Sequence, residues 1–180
     1  MTPFAVVKRA AATLLLASVA ASAVAQPAYP ARPIRLIVPF PPGGSSDPLA
    51  RLVGQKLNES WGQQVVVENR PGGNTIIGTE SVARAAPDGH TLLMMSTTHI
   101  TTGLLMQTPY DPIKDFAAVA TLASGAIVLV LHPSIPAANL REFIAFARAR
   151  PGQLNYASGG TGGVNHLSGE FFNILAGVTI

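Results

Sequence analysis

The fold of this chain turns on Ile34-Arg35-Leu36-Ile37-Val38-Pro39, followed at once by Phe40-Pro41-Pro42-Gly43-Gly44-Ser45-Ser46-Asp47-Pro48. The first six residues are almost continuously apolar, the pattern of a strand buried on both faces in a parallel sheet. The proline, glycine and serine residues that follow read as a loop. Asp47-Pro48 then reads as a helix start, with a capping carboxylate and proline at the first helical position. Leu49, Leu52, Val53, Leu57 and Trp61 recur at three- and four-residue spacing up to Gly62, which supplies a stop.

Working outward, residues 64–68 form a second expected strand and Asn69-Arg70-Pro71-Gly72-Gly73-Asn74 a turn. A helix is expected over residues 76–86, closed by Pro87-Asp88-Gly89, and a third strand over 91–95. Strand, helix, strand, helix, strand with short connections implies right-handed crossovers and a parallel sheet with helices on both faces. Residues 96–114 are polar and punctuated by proline, with one short helix near 102–107. Two further strands are expected at 116–122 and 126–131, separated by Ser124-Gly125. A helix over 140–150 carries Leu140, Phe143, Ile144 and Ala147 on one face. A short strand at 154–157, a loop at 158–163, a helix over 164–175 and the start of another strand at 178–180 complete the pattern. The fold class is therefore α/β, in two units joined near 116–122. Because the pattern stops as a strand begins, it reads as a piece of a longer protein. No period of about 20 to 50 residues marks a repeat array.

Composition narrows the function. Of 180 residues, 48% are hydrophobic and 12% charged, about half the charge of an ordinary soluble domain, which excludes a disordered chain. With no cysteine, disulfide scaffolds, thiolate zinc sites and cysteine nucleophiles are excluded. After residue 30 no apolar run approaches the roughly 18 residues of a membrane span. Residues 1–25 have the form of a cleavable export signal, with an uncleaved membrane anchor as the other reading: Lys8-Arg9, a short apolar centre, then Ala23-Val24-Ala25. Its removal lowers the net charge from +3 to +1, and the remaining basic residues are dispersed. No patch tracks a phosphate backbone, so no nucleic acid is expected.

Two loops can carry chemistry, residues 40–47 and 158–163. Each follows an expected strand, is rich in glycine and hydroxyl residues, and opens a helix. Helix N-termini present unpaired N–H groups at the positive end of the peptide dipoles, a ready site for a carboxylate or phosphate. One loop per unit is the arrangement of a ligand crevice at strand carboxyl ends. Nucleotide motifs are absent, since neither a P-loop nor a complete G-x-G-x-x-G occurs. There is no G-x-S-x-G elbow, and His90, His99, His132 and His166 show no metal spacing. His166, one turn into the last helix, is placed either to donate to an anion or to pack. Asp47 reads first as a helix cap, and Glu68 and Glu80 as structural or solvated.

At these loops the chain resembles a known family, the Bug proteins, which are periplasmic solute receptors of tripartite tricarboxylate transporters. The resemblance is carried by Tyr29-Pro30 with Arg32-Pro33-Ile34, by Val38-Pro39-Phe40-Pro41-Pro42-Gly43-Gly44-Ser45-Ser46-Asp47 and by Val66-Val67-Glu68-Asn69-Arg70-Pro71-Gly72. Ile77-Gly78-Thr79-Glu80, Ala85-Ala86-Pro87-Asp88-Gly89 with Thr91-Leu92-Leu93, and Pro109-Tyr110-Asp111-Pro112 with Lys114-Asp115-Phe116 continue it. His132-Pro133-Ser134 and Leu154-Asn155-Tyr156-Ala157-Ser158 with His166-Leu167 complete it.

The resemblance implies a two-lobed, hinge-closing fold of the periplasmic-binding-protein (Venus flytrap) kind. Residues 26–118 would belong to the first lobe and 119–180 to an incomplete second. It implies a non-catalytic receptor, exported to the periplasm, that captures a di- or tricarboxylate or an acidic amino acid. It would act as a monomer without cofactor or metal and deliver its ligand to the membrane permease subunits of the transporter. Ligand contacts are expected from Phe40, Gly43, Gly44, Ser45, Ser46 and Asp47, and from Ser158, Gly159, Gly160, Thr161, Gly162 and His166. Ser96 and Thr97, in the segment 96–99, are expected to shape the rest of the pocket. The chain departs from the family at His90, where tyrosine is usual, and at Asn74-Thr75-Ile76, where the family is richer in glycine. Members run to roughly twice the mature length, the size of two ordinary domains. Two other readings stand beside this one: a secreted hydrolase or lyase using Ser45 or Ser46 with a histidine, and an inactive truncated receptor.

Overall fold

A computed structural model describes residues 29–180, so the expected export signal lies outside the described residues. The deciding stretch forms the central strand. Strand β1 (Ile34–Val38) lies parallel between β2 (Val65–Asn69) and β3 (Thr91–Leu93), in the order β2-β1-β3. Ile34 sits opposite Val65 and Val38 opposite Asn69 on one edge, and Arg35 opposite Thr91 on the other. Ile34, Ile37 and Val38 are fully buried and Leu36 nearly so.

Helix α1 (Ser46–Trp61) returns the chain from β1 to β2, and α2 (Ile76–Ala83) returns it from β2 to β3. With β1 in the middle, right-handed crossovers place these helices on opposite faces. Leu36 and Val38 accordingly pack with Ala50 of α1 and with Met94, while alternation turns Ile37 to the other face. On that face α2 approaches closely through Gly78. A Cβ added there would lie 2.6 Å from the Arg70 carbonyl and 2.9 Å from Pro39. The Arg35 guanidinium clasps Glu68 across β1 and β2 at 2.7 and 3.0 Å, so Glu68 is structural.

Element ends shift in instructive ways. Asp47 does not cap α1, which starts two residues earlier than expected; Ser45 holds the cap position without a side-chain bond. The Asp47 carboxylate instead folds back to accept the Gly43 N–H at 3.1 Å. Gly62 ends α1 as expected, at φ 67. The second helix stops at Ala83 rather than 86, and β3 covers three residues rather than five. The short helix expected near 102–107 is α3 (Thr98–Leu105), which starts earlier.

The expected strands at 116–122, 126–131, 154–157 and 178–180 do not form. An apolar run becomes a strand only beside an edge whose N–H and C=O groups it can satisfy. Among the described residues, residues 116–131 make no backbone hydrogen bond. The 178–180 segment gains two, neither of them to a strand: the Thr179 carbonyl accepts the Gly152 N–H at 2.9 Å, and the Val178 N–H donates to the Asn173 carbonyl at 3.1 Å.

Helix α4 (Leu140–Arg148) is held at its start by reciprocal bonds between Asn139 and Glu142, the logic of a capping box. It buries Phe143 and Ala147 but leaves Leu140 exposed. Helix α5 (Val164–Ala176) packs on it through Phe172, stacked on Phe143. The Arg148 guanidinium donates to the Ala176 carbonyl at 2.6 and 2.9 Å, satisfying the end of α5. Ala147, Ala176 and Val178 form a second core separate from that of the sheet. Among the described residues, no helix is long and apolar enough to cross a membrane.

Candidate functional site

The loop after β1 is shaped from beneath by Asp47. Its buried carboxylate accepts the Gly43 N–H, pairs with Arg51 at 3.0 Å, and sits beside Asn69, which donates to the Phe40 carbonyl at 3.2 Å. These donors, the Gly43 N–H foremost, hold the Asp47 carboxyl below the usual carboxylate range. With Gly43 committed to Asp47, the backbone N–H groups of Gly44, Ser45 and Ser46 have no partner among the described residues.

The second loop is organised the same way. Ser158 Oγ accepts the Gly160 N–H at 3.4 Å, the Gly160 carbonyl accepts the Gly163 N–H at 3.1 Å, and His166 Nδ1 accepts the Gly162 N–H at 3.4 Å. The N–H groups of Val164 and Asn165, which open α5, are left without a partner among the described residues. The loop is docked by Thr101, whose hydroxyl donates to the Gly162 carbonyl at 2.9 Å.

Both loops line one cleft of about 570 Å³. Phe40, Gly44, Ser45 and Ser46 form one wall; Gly159, Gly163, Val164 and Asn165 face it. Ser96 and Thr98 contribute from the start of α3, and Pro71, Gly72, Asn74 and Thr75 from the start of α2. Four helix N-termini therefore reach the same space. No acidic residue occupies the first turn of α2, α3 or α5, and Asp47 in α1 is neutralised by Arg51. Among the described residues, no charged side chain lines the cleft. Its positive potential comes from peptide dipoles and amide N–H groups, each terminus contributing about 0.3–1 kcal/mol to an anion and up to about 2 when partly buried.

Of the residues expected at the site, Phe40, Gly44, Ser45, Ser46, Ser96 and Gly159 line the cleft. The others do not. Gly43 and Asp47 are occupied with each other beneath the loop. Thr97 is exposed, with its carbonyl in the first turn of α3. Ser158, Gly160 and Gly162 are committed to the loop's own bonds, and Thr161 is exposed. His166 turns its Nδ1 back to Gly162 and its ring towards Tyr156, so it supports the loop from behind. His99 is buried, donating from Nε2 to the Pro112 carbonyl at 2.8 Å, stacking on Tyr110 and meeting Phe116 edge to face.

Sequence reading pointed to the helix start after the second loop but named none of Asn74, Thr75, Val164 and Asn165 as site residues. Asn74 and Thr75 hold left-handed backbone, at φ 53 and 77. That conformation suits glycine, tolerates asparagine and is an outlier for a β-branched residue. The Gly72-Gly73-Asn74 turn was visible; that its side chains enter the cleft was not.

Among the described residues no hydrogen bond joins a histidine to Ser45 or Ser46; His132 pairs instead with its neighbour Ser134 at 2.8 Å. The chain's similarities agree with a binding role. The pattern of the TctC family, described as the tripartite tricarboxylate transporter family receptor, matches residues 49–180. BugT of Bordetella pertussis is 40% identical over 163 residues, covering 89% of this chain and 50% of BugT. Rpa4515 of R. palustris, solved with adipate, is 35% identical at a TM-score of 0.79, over 84% of this chain and 52% of that one. MatC from Rhodopseudomonas palustris, solved with bound malate, is 34% identical at a TM-score of 0.75, over 83% and 52%. The chain thus spans about half the length of the relatives it matches.

Proposed function

This chain belongs to the tripartite tricarboxylate transporter receptor family, and from that premise we propose that it takes part in capturing a small carboxylate in the periplasm. The family is one of receptors rather than enzymes, so the reading is binding without catalysis. The observation that carries it is the cleft itself: four helix N-termini with unpaired N–H groups at α1 and α5, and no side-chain charge. A carboxylate is the guest this chemistry suits. It accepts several N–H bonds at about 1 kcal/mol each and draws on the dipoles besides. Together these approach the roughly 8 kcal/mol of micromolar binding. The adipate and malate complexes of two relatives support the same ligand class.

Because the two walls come from separate cores, a ligand bonded to both favours the arrangement in which they are close. Delivery to membrane permease subunits follows from the family and completes the reading. Isothermal titration of the chain against a panel of di- and tricarboxylates tests it. Micromolar binding that weakens about tenfold or more in Ser45→Pro, which removes a cleft N–H, is the expected result. No heat with any carboxylate in the panel would refute it.

A further inference from the structure

Among the described residues lining the cleft, Asn74 has a side chain locked by a network that leaves one atom unused. The Thr102 hydroxyl, fully buried, donates to the Asn74 carbonyl at 3.1 Å. Its hydrogen is thereby committed, so towards the Asn74 side chain it can only accept. The amide meets it with Nδ2, at 2.9 Å, and the same nitrogen points to Met106 Sδ at 4.0 Å. A flipped amide would set its oxygen against the hydroxyl's lone pair. Oδ1 is therefore fixed at the other end of the amide; both ends face the second glycine loop, Nδ2 lying 3.5 Å from the point a Cβ would occupy at Gly162. Oδ1 lies 3.5 Å from the point a Cβ would occupy at Gly160 and has no hydrogen-bond partner among the described residues. Asn74 also sits at φ 53, which asparagine tolerates better than other non-glycine residues.

The rest of the cleft offers unpaired N–H groups, hydroxyls that can both donate and accept, and the Asn165 amide, which no side-chain hydrogen bond orients. Asn74 adds an oriented side-chain acceptor at its margin. Building on the carboxylate reading above, we infer that Asn74 is a specificity-determining residue that accepts a hydrogen bond from a hydroxyl on the ligand, selecting hydroxycarboxylates over plain carboxylates. An ammonium group is the other donor a small carboxylate can carry. It needs a compensating negative charge when desolvated, and no acidic side chain lines the cleft; Asp47, just beneath, is committed to Arg51 and Gly43.

Three probes with one four-carbon skeleton separate the cases: succinate with hydrogen at C2, malate with hydroxyl, and aspartate with ammonium. Titration of the full chain is expected to rank malate above succinate by about five- to tenfold, the size of one hydrogen bond, with aspartate weakest. Asn74→Gly removes the acceptor while easing the left-handed backbone, and brings the malate-to-succinate ratio to within about twofold of one. Thr102→Val keeps the shape but releases the amide, and lowers the same ratio. Equal binding of malate and succinate, a ratio unmoved in Asn74→Gly, or aspartate binding tighter than malate would each overturn the hydroxyl readout while leaving carboxylate capture intact. Failure of all three probes, together with the wider carboxylate panel, would take down the receptor reading itself and this inference with it.

Discussion

Ile34-Arg35-Leu36-Ile37-Val38 and Ala126-Ile127-Val128-Leu129-Val130-Leu131 are nearly the same kind of sequence, and their fates are opposite. The first is paired on both edges and its apolar side chains are at most 5% exposed. The second makes no backbone hydrogen bond among the described residues, and Val128 and Val130 are 74% and 83% exposed. An apolar run states a capacity for burial; neighbours on its edges and faces decide whether that capacity is used. What distinguishes β1 is the short connections that bring β2, β3 and two helices back to it within about sixty residues.

The largest test of this contrast is truncation. Ile37→Ala is expected to lose about 2–5 kcal/mol of stability in urea unfolding, whereas Val130→Ala stays within about 0.5 kcal/mol. Similar losses at both positions would show that the second run is packed after all. A backbone version of the test uses glycine. Gly78→Ala forces a methyl against the Arg70 carbonyl and costs about 1–3 kcal/mol. Gly125→Ala, with nothing within 4 Å of the new carbon, is neutral or stabilising by up to about 1 kcal/mol through the unfolded chain.

The smallest effect concerns pH. Asp88 is held by the His90 N–H and by Arg32, which lower its carboxyl from 3.8 to about 2. A depressed carboxyl stabilises the fold above its unfolded value and loses that contribution as pH falls through the folded one. The sheet region should therefore weaken between pH 3.8 and about 2, and Asp88→Asn should flatten that part of the profile. A profile unchanged by the substitution would show that the Asp88 bonds do not act on stability.

How much of this was legible varies by residue, for physical reasons. The β1-loop-α1 unit could be read because each of its signals is local: an apolar run, a loop of small residues, an αL glycine at Gly62. Asp47 was misplaced because a carboxylate near a helix start has two local partners to choose from, the first-turn amides and the preceding loop. Only the position of Arg51 and Asn69 settled it. His166 was open between anion and packing because spacing along a helix does not say which way a ring turns; the Gly162 N–H turned it back. Asn74 and Thr75 stood out in the sequence only as a departure from the family, not as cleft residues, because positive φ at a non-glycine residue is imposed by closure of the turn and by Thr102, twenty-eight residues away.

Local chemistry along the chain was enough to determine that a parallel α/β core exists and that its loops present glycine and hydroxyl groups at helix starts. Periodicity, capping and turn preferences act over a few residues and survive in any context. The convergence of four helix ends on one uncharged cleft, the partnering of one apolar run and not the other, and the orientation of the Asn74 amide were decided by tertiary structure. Each depends on groups far apart in sequence meeting at hydrogen-bonding distance, and no local pattern encodes that distance.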